Sequence, residues 1–167
     1  MKDQLPSIQS LKQEHIDANR DCDNLMLNCA AHMIIVIDDP KQLVQVGLEF
    51  MVTTLSVCRA DAGFATPAHK HYTPITECRN KATAPPSITG LQIPNQHQAM
   101  KKIWQTSLPV VINDVSSYAP LKELKDVFLS AGCQSMLLQK LAWEDKPIGI
   151  ACIDYTVESH IWSEDEI

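Results

Sequence analysis

The sequence is poor in glycine, has no paired-cysteine motif and contains no long apolar run. Five Gly and ten Pro in 167 residues are too few for a low-complexity chain. No C-x-x-C pair occurs, which excludes a zinc-ribbon or thioredoxin-like signature. No apolar run approaches the roughly 20 residues that a bilayer-spanning helix needs. What remains is an ordinary globular mixture, 45% hydrophobic and 20% charged, long enough for one domain with its own core.

Charge and cysteine usage narrow the class of protein further. The net charge of -6 argues against nonspecific attraction to nucleic acid or to an anionic membrane. Several of the six cysteines lie inside apolar runs, where a free thiol behaves as a small hydrophobe. The N-terminal residues lack the pattern of a secretory signal. We therefore predict reduced cysteines and a cytoplasmic location.

Residues 1–38 are predicted to form one N-terminal signalling or dimerisation helix. A heptad-like seam runs through Leu11, His15, Ala18, Cys22, Leu25, Cys29, His32 and Val36. Because several seam residues are polar or small, the pattern fits both a homodimer through this helix and an amphipathic helix lying on its own domain. In a parallel dimer Cys22 and Cys29 would each face their own copy, so a redox-sensitive cross-link is an alternative to an inert seam.

Residues 39–167 are predicted to form the main domain, which opens with a helix capped by Asp39 with Gln42 completing a capping box. Strands are predicted over 62–68 and 71–80, the second weakened by Pro74. The proline-rich stretch 81–94 is predicted to be a mobile loop.

The second half of the domain continues with alternating elements. Asn95 is predicted to cap a helix, 110–113 to form a buried strand, and 120–131 to form another helix. Strands over 133–143 and 148–157 are predicted to form an antiparallel hairpin. Ser163 and Glu166 form a capping-box pattern, and the chain stops one residue later. We interpret this as the start of a helix that continues into an output domain.

Four stretches of this domain resemble the GAF family in combination. The helix LVQVGLEFMVTTLSVC leads into a strand ADAGFATPA, and IWQTSLPVVINDV resembles the family's helix, short turn and strand. LSAGCQSMLLQKLAWEDKPIGIACIDY resembles its strand hairpin, and WSEDEI the start of its last helix. The resemblance implies an α+β fold: a central antiparallel sheet of about five to six strands, with helices on one face and a ligand pocket on the other.

The resemblance also implies which family activities to expect. Thr83 to Pro94 holds only one glycine, Gly90, where many members carry a Gly-rich segment, so nucleotide binding is not predicted. Bilin-binding members carry a Cys beside a His in the pocket helix, whereas this helix has His97 and no Cys. We therefore predict no chromophore and leave the cofactor unknown.

Candidate ligand-binding residues cluster around the predicted pocket. Hydroxyls and backbone N–H groups at a helix start can hold a carboxylate or phosphate, or can simply cap the helix. The remaining candidates are aromatic or small residues expected on the sheet or its cover, for which ordinary core packing is the alternative. The predicted set is Phe64, Trp104, Asp114, Ser116, Ser117, Tyr118 and Ser135.

Two other chemistries are considered and not predicted. His69 and His71 share a strand face, but with Glu77 and Cys78 only nearby they do not make a convincing set of three or four metal ligands. Cys133 follows a helix C-terminus, which raises a thiol pKa, so a catalytic nucleophile is not expected there.

Together these patterns predict a small-molecule-sensing regulatory domain of a larger signalling protein, most plausibly a bacterial transcriptional regulator, and not an enzyme. The alternatives are a dimerisation module with a degenerate pocket and a small cysteine-based redox enzyme.

Overall fold

The chain is described here by a computed structural model that covers residues 26–36, 38–164, 166 and 167. It divides into two compact units, 1–43 and 44–167. In the first unit residues 26–35 are helical, while the seam positions up to Leu25, including Cys22, lie outside the described residues. Within the described part of the chain, no helix is long and apolar enough to cross a membrane.

Helix α1 (Pro40–Thr54) begins where the capping pattern predicts. The Asp39 carboxylate accepts hydrogen bonds from the backbone N–H groups of Lys41 and Gln42 at 3.0 and 3.1 Å. The Gln42 side chain donates to the same carboxylate at 3.0 Å, so it reaches the Asp39 side chain rather than its backbone. Farther along the helix, Leu48 and Val52 are buried, and they belong to an apolar cluster shared with the sheet.

The second unit is built on an antiparallel sheet of five strands in the order β3-β1-β7-β6-β5. Its strands are β1 (Arg59–Phe64), β3 (Thr76–Arg79), β5 (Val110–Ile112), β6 (Ser135–Trp143) and β7 (Lys146–Tyr155). The strands β2 (His71–Tyr72) and β4 (Ile93–Pro94) pair antiparallel as a separate two-stranded sheet. The sheet confirms the predicted fold class, at the lower end of the expected strand number.

Two strand boundaries differ from the prediction. β1 begins at Arg59, three residues earlier than predicted, and includes Asp61. The strand predicted over 71–80 is two strands, because the chain breaks around Pro74, whose ring removes a backbone donor from the ladder.

Helix α2 (Gln98–Gln105) is capped by His97, whose Nδ1 accepts from the Ala99 N–H. The prediction that Asn95 caps this helix is wrong. Asn95 is buried, donates to the carbonyls of Thr66 and His69, and accepts a hydrogen bond from the Trp104 indole at 3.2 Å.

The helix predicted over 120–131 is two shorter pieces, a 3₁₀ turn (Ala119–Leu121) and α3 (Lys125–Ser130). β6 and β7 form the predicted hairpin, and Glu144 and Asp145 both have positive φ at its turn. Ser163 donates its backbone N–H to the Glu166 carboxylate at 2.8 Å, which is one half of the predicted capping box. The other half is not formed, because the Ser163 hydroxyl donates to the same carboxylate instead of accepting the Glu166 N–H.

Two apolar clusters cover the two faces of the sheet. The α1 side of the sheet carries Ala60, Ala62, Leu137, Ala151 and Ile153. The other side, which we call the pocket face, packs its side chains against α2, α3 and the loops between them. Strand alternation therefore assigns each sheet residue to one face or the other.

A candidate ligand site beneath the 85–92 lid

The centre of the pocket face is a buried ion pair rather than an apolar core. Arg59 on β1 and Asp154 on β7 are directly opposite each other, and both are 0% exposed. The Arg59 Nε and Nη2 atoms lie 2.9 and 2.8 Å from Asp154 Oδ2. Removing one partner of such a pair would leave a buried charge uncompensated, so the two residues depend on each other.

Arg59 also binds two further segments, at residue 86 and at residues 131–133. Its Nη1 donates to the backbone carbonyls of Pro86 and Ala131, and its Nη2 donates to Cys133 Sγ at 3.0 Å. A guanidinium has five N–H donors, and four of them donate to Asp154, Pro86, Ala131 and Cys133. Arg59 is therefore held almost entirely by partners within the protein.

Arg59, Asp61, Cys133, Cys152 and Asp154 form what we call the buried cluster. Its two carboxylates have fewer hydrogen-bond partners than Arg59 has. Asp61 accepts one long hydrogen bond, from the Tyr72 hydroxyl at 3.3 Å. Asp61 Oδ2 and Asp154 Oδ1 are both buried and have no hydrogen-bond partner among the residues that the structure describes. Unpaired buried acceptors are costly, so the site has room for a donor or a cation that the chain itself does not supply.

Burial dominates the protonation of this cluster. It raises the pKa of Asp61 to about 8, helped by the nearby charge of Asp154. Burial also raises the pKa of Asp154 to about 6, although the Arg59 charge opposes the rise. At neutral pH the cluster therefore favours one extra proton, held mainly by Asp61.

The thiols beside the carboxylates are shifted in the same direction. Burial, followed by the charge of Asp154, raises the pKa of the Cys133 thiol. The pKa of Cys152 is likewise raised by burial and by the charges of Asp61 and Asp154. The direction predicted for Cys133 is confirmed, but its main cause is burial rather than the end of a helix.

A row of voids leads from the surface to these carboxylates. An inner cavity of about 20 Å³ is bordered by Asp61, Cys133, Cys152 and Asp154, and its outer wall includes Ile88 and Leu91. On the other side of the wall, an open groove of about 320 Å³ runs between residues 86–91 and the end of α3. Ile88 and Leu91 line both spaces, so these two side chains separate the groove from the inner cavity.

A second enclosed cavity, of about 10 Å³, lies deeper under α2. Phe128, Met136 and Leu138 line both enclosed cavities. A cavity of this size holds about one water molecule. The pocket face is therefore largely filled by its own side chains. The three shared residues lie between the two cavities.

Residues 85–92 form a lid over the inner cavity, and polar bonds from the sheet fasten it. Glu77 on β3 accepts the backbone N–H of Ile88 at 2.9 Å. Arg79 donates to the carbonyl of Pro85, and Arg59 to that of Pro86. The loop predicted over 81–94 is confirmed as far as residue 92, since Ile93 and Pro94 form β4. Its inner side reaches the buried cluster.

The structure brings only Tyr118 of the predicted pocket residues to a cavity. Tyr118 lines the deeper cavity, and its hydroxyl accepts a hydrogen bond from Lys102 at 2.9 Å. Asp114 caps the following turn by accepting the Ser116 N–H at 2.8 Å, and hydrogen bonds from Ser116 and Ser117 lower its pKa. Both serines are exposed.

The other three predicted residues have different settings. Trp104 is 8% exposed within the pocket-face cluster and donates to Asn95. Phe64 is 50% exposed at the end of β1. Ser135 is buried and accepts the His160 N–H. Strand alternation places Phe64 and Ser135 on the α1 side of the sheet, away from the cavities.

The residues considered for metal binding and redox sensing are also accounted for. His69 lies in a turn, where its Nδ1 accepts from the Thr66 N–H, and His71 pairs with Pro94. Glu77 accepts the backbone N–H of Ile88 in the lid. Cys29 lies in the helical stretch 26–35 and is partly exposed.

Sequence reasoning missed Arg59, Asp61 and Asp154. The available signal was a charged residue inside a predominantly apolar strand, as in CRADAGFA and IGIACIDY. Fully buried charges are rare unless they are paired. Starting the first strand after Asp61 placed Arg59 and Asp61 outside the sheet, which hid their pairing with Asp154.

No protein-family model matches the sequence, and no curated protein matches it. Solved structures match by fold. The phycoerythrobilin-bound GAF domain of a cyanobacterial phytochrome is 15% identical, with a TM-score of 0.69 over 86% of this chain and 85% of that chain. The GAF domain of PixJ from Thermosynechococcus elongatus is 13% identical, with a TM-score of 0.58 over 72% and 71%. A far-red cyanobacteriochrome photoreceptor is 14% identical, with a TM-score of 0.58 over 96% and 89%. The chain therefore folds as a GAF-like domain, as its sequence resemblance predicted.

Proposed function

We propose that this chain is the small-molecule-sensing domain of a larger signalling protein. The observation that carries the proposal is the row of voids from the surface groove to the buried carboxylates. The row lies on the sheet face opposite α1, and Ile88 and Leu91 lie between the groove and the inner cavity. The unpartnered oxygens of Asp61 and Asp154 at its inner end favour a ligand with a cationic or hydrogen-bond-donating group.

The ligand is smaller than a bilin, or it displaces several side chains on entry. Ligand pockets for drug-sized molecules have volumes of about 300–1,000 Å³, whereas the enclosed cavities here measure about 10 and 20 Å³. The matched phytochrome domain holds phycoerythrobilin. A ligand of that size would require Phe128 and Met136 to leave the space between the cavities. A small amine or guanidine would require the lid to open and the inner cavity, which holds about one water molecule, to widen.

The output is proposed to be transcriptional regulation in a bacterium, through another domain. The net charge of -6 makes direct contact with DNA by this domain unfavourable. Ligand binding that fixes the lid would shift the population between two arrangements of the flanking helices in a homodimer.

We also infer that the domain has no enzymatic activity of its own. The Cys133 and Cys152 thiols have raised pKa values and lie under the lid, so at neutral pH they are protonated and weakly nucleophilic. This argues against the alternative of a cysteine-based redox enzyme.

A dimerisation module with a filled pocket is the second candidate, because each enclosed cavity holds only about one water molecule. The α1 side also carries an apolar depression of about 130 Å³, lined by Met51, Leu55, Leu137 and Ile153 among others. An apolar surface of this kind suits a helix–helix or subunit contact.

Substitutions on neighbouring residues of β6 separate the two candidates. Met136 lines both enclosed cavities, and Leu137 lines the depression on the opposite face. Met136→Phe should fill the pocket and abolish thermal stabilisation by small amines and guanidines. Leu137→Phe has space to be accommodated, so it should retain that response.

Thermal shift with a panel of such compounds and sedimentation of each variant are the measurements. If no compound stabilises the wild-type chain and Leu137→Phe alone changes the oligomeric state, the dimerisation module is the correct function.

A further inference from the structure

Three potential metal ligands converge at the inner cavity. Asp61 lies directly opposite Cys152 in the pairing of β1 with β7, and Asp154 follows on the same face of β7. One ligand atom from each residue lies within 4.8 Å of the other two. All three residues are at least nine-tenths buried. The sheet itself therefore fixes the backbone positions from which these side chains project.

The unpaired oxygens supply independent evidence that something binds between these residues. Asp61 and Asp154 both border the cavity of about 20 Å³, and their Oδ2 and Oδ1 atoms, respectively, have no partner among the described residues. That volume suits a single water-sized particle. Two buried acceptor oxygens without a partner are completed either by a proton or by a cation.

Charge balance indicates the same class of ligand. The two carboxylates face one guanidinium, that of Arg59, which pairs with Asp154. Ionisation of both carboxyl groups therefore leaves an unbalanced negative charge in a buried site. A cation entering the cavity would neutralise that charge without displacing Arg59, since Arg59 contacts Oδ2 of Asp154 and leaves Oδ1 without a partner.

The donor types select among metal ions. Mg²⁺ and Ca²⁺ prefer sites made entirely of oxygen, whereas a set of two carboxylates and one thiolate suits Zn²⁺ and similar borderline ions. Bond lengths of about 2.0–2.3 Å in such sites imply ligand separations of about 3.5 Å. Side-chain rotation at the three positions would have to close the present spacing by about one ångström or slightly more.

We propose that Asp61, Cys152 and Asp154 bind one divalent transition-metal ion, with Zn²⁺ the expected occupant and a fourth position open to water. Binding replaces the thiol proton of Cys152 and the proton shared by the carboxyl groups. The site lies on the same face as the proposed sensor pocket, but metal binding does not require that any organic ligand bind there.

Cobalt(II) alone is the probe, added to the full chain after treatment with EDTA and removal of the chelator. Co²⁺ bound to a thiolate gives a near-ultraviolet charge-transfer band. We expect one equivalent to bind with at least micromolar affinity, the band to saturate at that point, and Zn²⁺ to displace it. Wild-type chain that shows no such band, or binds no single equivalent, would overturn the proposal.

The variants assign the ligands. Cys152→Ser should abolish the band, and Asp61→Asn should weaken Co²⁺ binding by at least tenfold. Cys78→Ser is the matched control, because Cys78 lies on a neighbouring strand and packs on the α1 side; it should bind as the wild type does. A band that persists in folded Cys152→Ser, checked by circular dichroism, contradicts the assignment. Metal binding without any response to amines would support this site while refuting the proposed sensor ligand, so the two proposals fail separately.

Discussion

At the scale of single residues, the site depends on a charge that the interior tolerates only because of its partners. Arg59 is completely buried, and its hydrogen bonds reach Asp154, Cys133, Pro86 and Ala131. These partners come from three segments that are distant from one another in the chain. A single side chain thus joins the sheet, the lid and the end of α3.

Replacement of Arg59 tests this dependence. Arg59→Met keeps much of the side-chain volume but leaves Asp154 without a counter-charge, which should destabilise the fold by about 3–5 kcal/mol. Arg79→Met is the control, since the Arg79 side chain is 47% exposed in its pair with Glu77 and should cost no more than about 1 kcal/mol. Urea unfolding followed by circular dichroism measures both. Equal losses in the two variants would show that the buried pair has no special role.

At the scale of elements, the lid is held by side chains of the sheet rather than by strand pairing. Glu77 accepts the Ile88 N–H, and Gly90 donates its N–H to the Pro74 carbonyl. Loops fastened by a few polar contacts open at a lower free energy than strands do. The lid is therefore the element expected to move first when a ligand enters.

Loss of the Glu77 anchor should expose this motion. In Glu77→Ala the amide of Ile88 loses its acceptor, so we expect its hydrogen exchange to accelerate about tenfold, as the loss of one hydrogen bond to a charged group implies. Glu77→Gln retains an acceptor oxygen and should remain closer to the wild type. Exchange in the β6–β7 hairpin serves as the internal reference, and uniform acceleration there would indicate global destabilisation instead.

At the scale of the whole molecule, the buried carboxyl groups make stability depend on pH. Asp61 and Asp154 have folded-state pKa values of about 8 and about 6, above the ordinary value of about 3.9. The folded state therefore holds protons that the unfolded state releases as pH rises above 4. Each such group favours the folded state at low pH and loses that contribution as pH rises toward its folded pKa.

The expected result is measured on the metal-free chain with EDTA present. Between pH 6 and pH 8 the free energy of unfolding of the wild type should fall, by about 1 kcal/mol or more, since one pKa unit corresponds to about 1.4 kcal/mol. Asp61→Asn has no proton to lose at this position, so its stability should be nearly flat over that interval. Parallel falls in the two proteins would assign the pH dependence to other groups.

The sequence by itself determined the fold class and most of the elements, although the strand predicted over 71–80 and the helix predicted over 120–131 are each divided. A capping residue such as Asp39 accepts from the next few backbone amides, and strand alternation concerns neighbouring residues, so both are readable locally. The hairpin of β6 and β7 was also predicted, because its short turn joins two strands that are adjacent in the chain. Asn95 was misassigned because its partner Trp104 is brought to it only by tertiary packing.

Only the tertiary structure decided what the pocket face contains. Arg59 and Asp154 are 95 residues apart in the chain, and nothing local to either residue indicates the other. The predicted pocket residues Phe64 and Ser135 lie on the α1 side, because one residue of register decides which face of a sheet a side chain occupies. Short-range patterns fix elements, whereas the site arises from contacts between distant segments, and those contacts exist only once the sheet has formed.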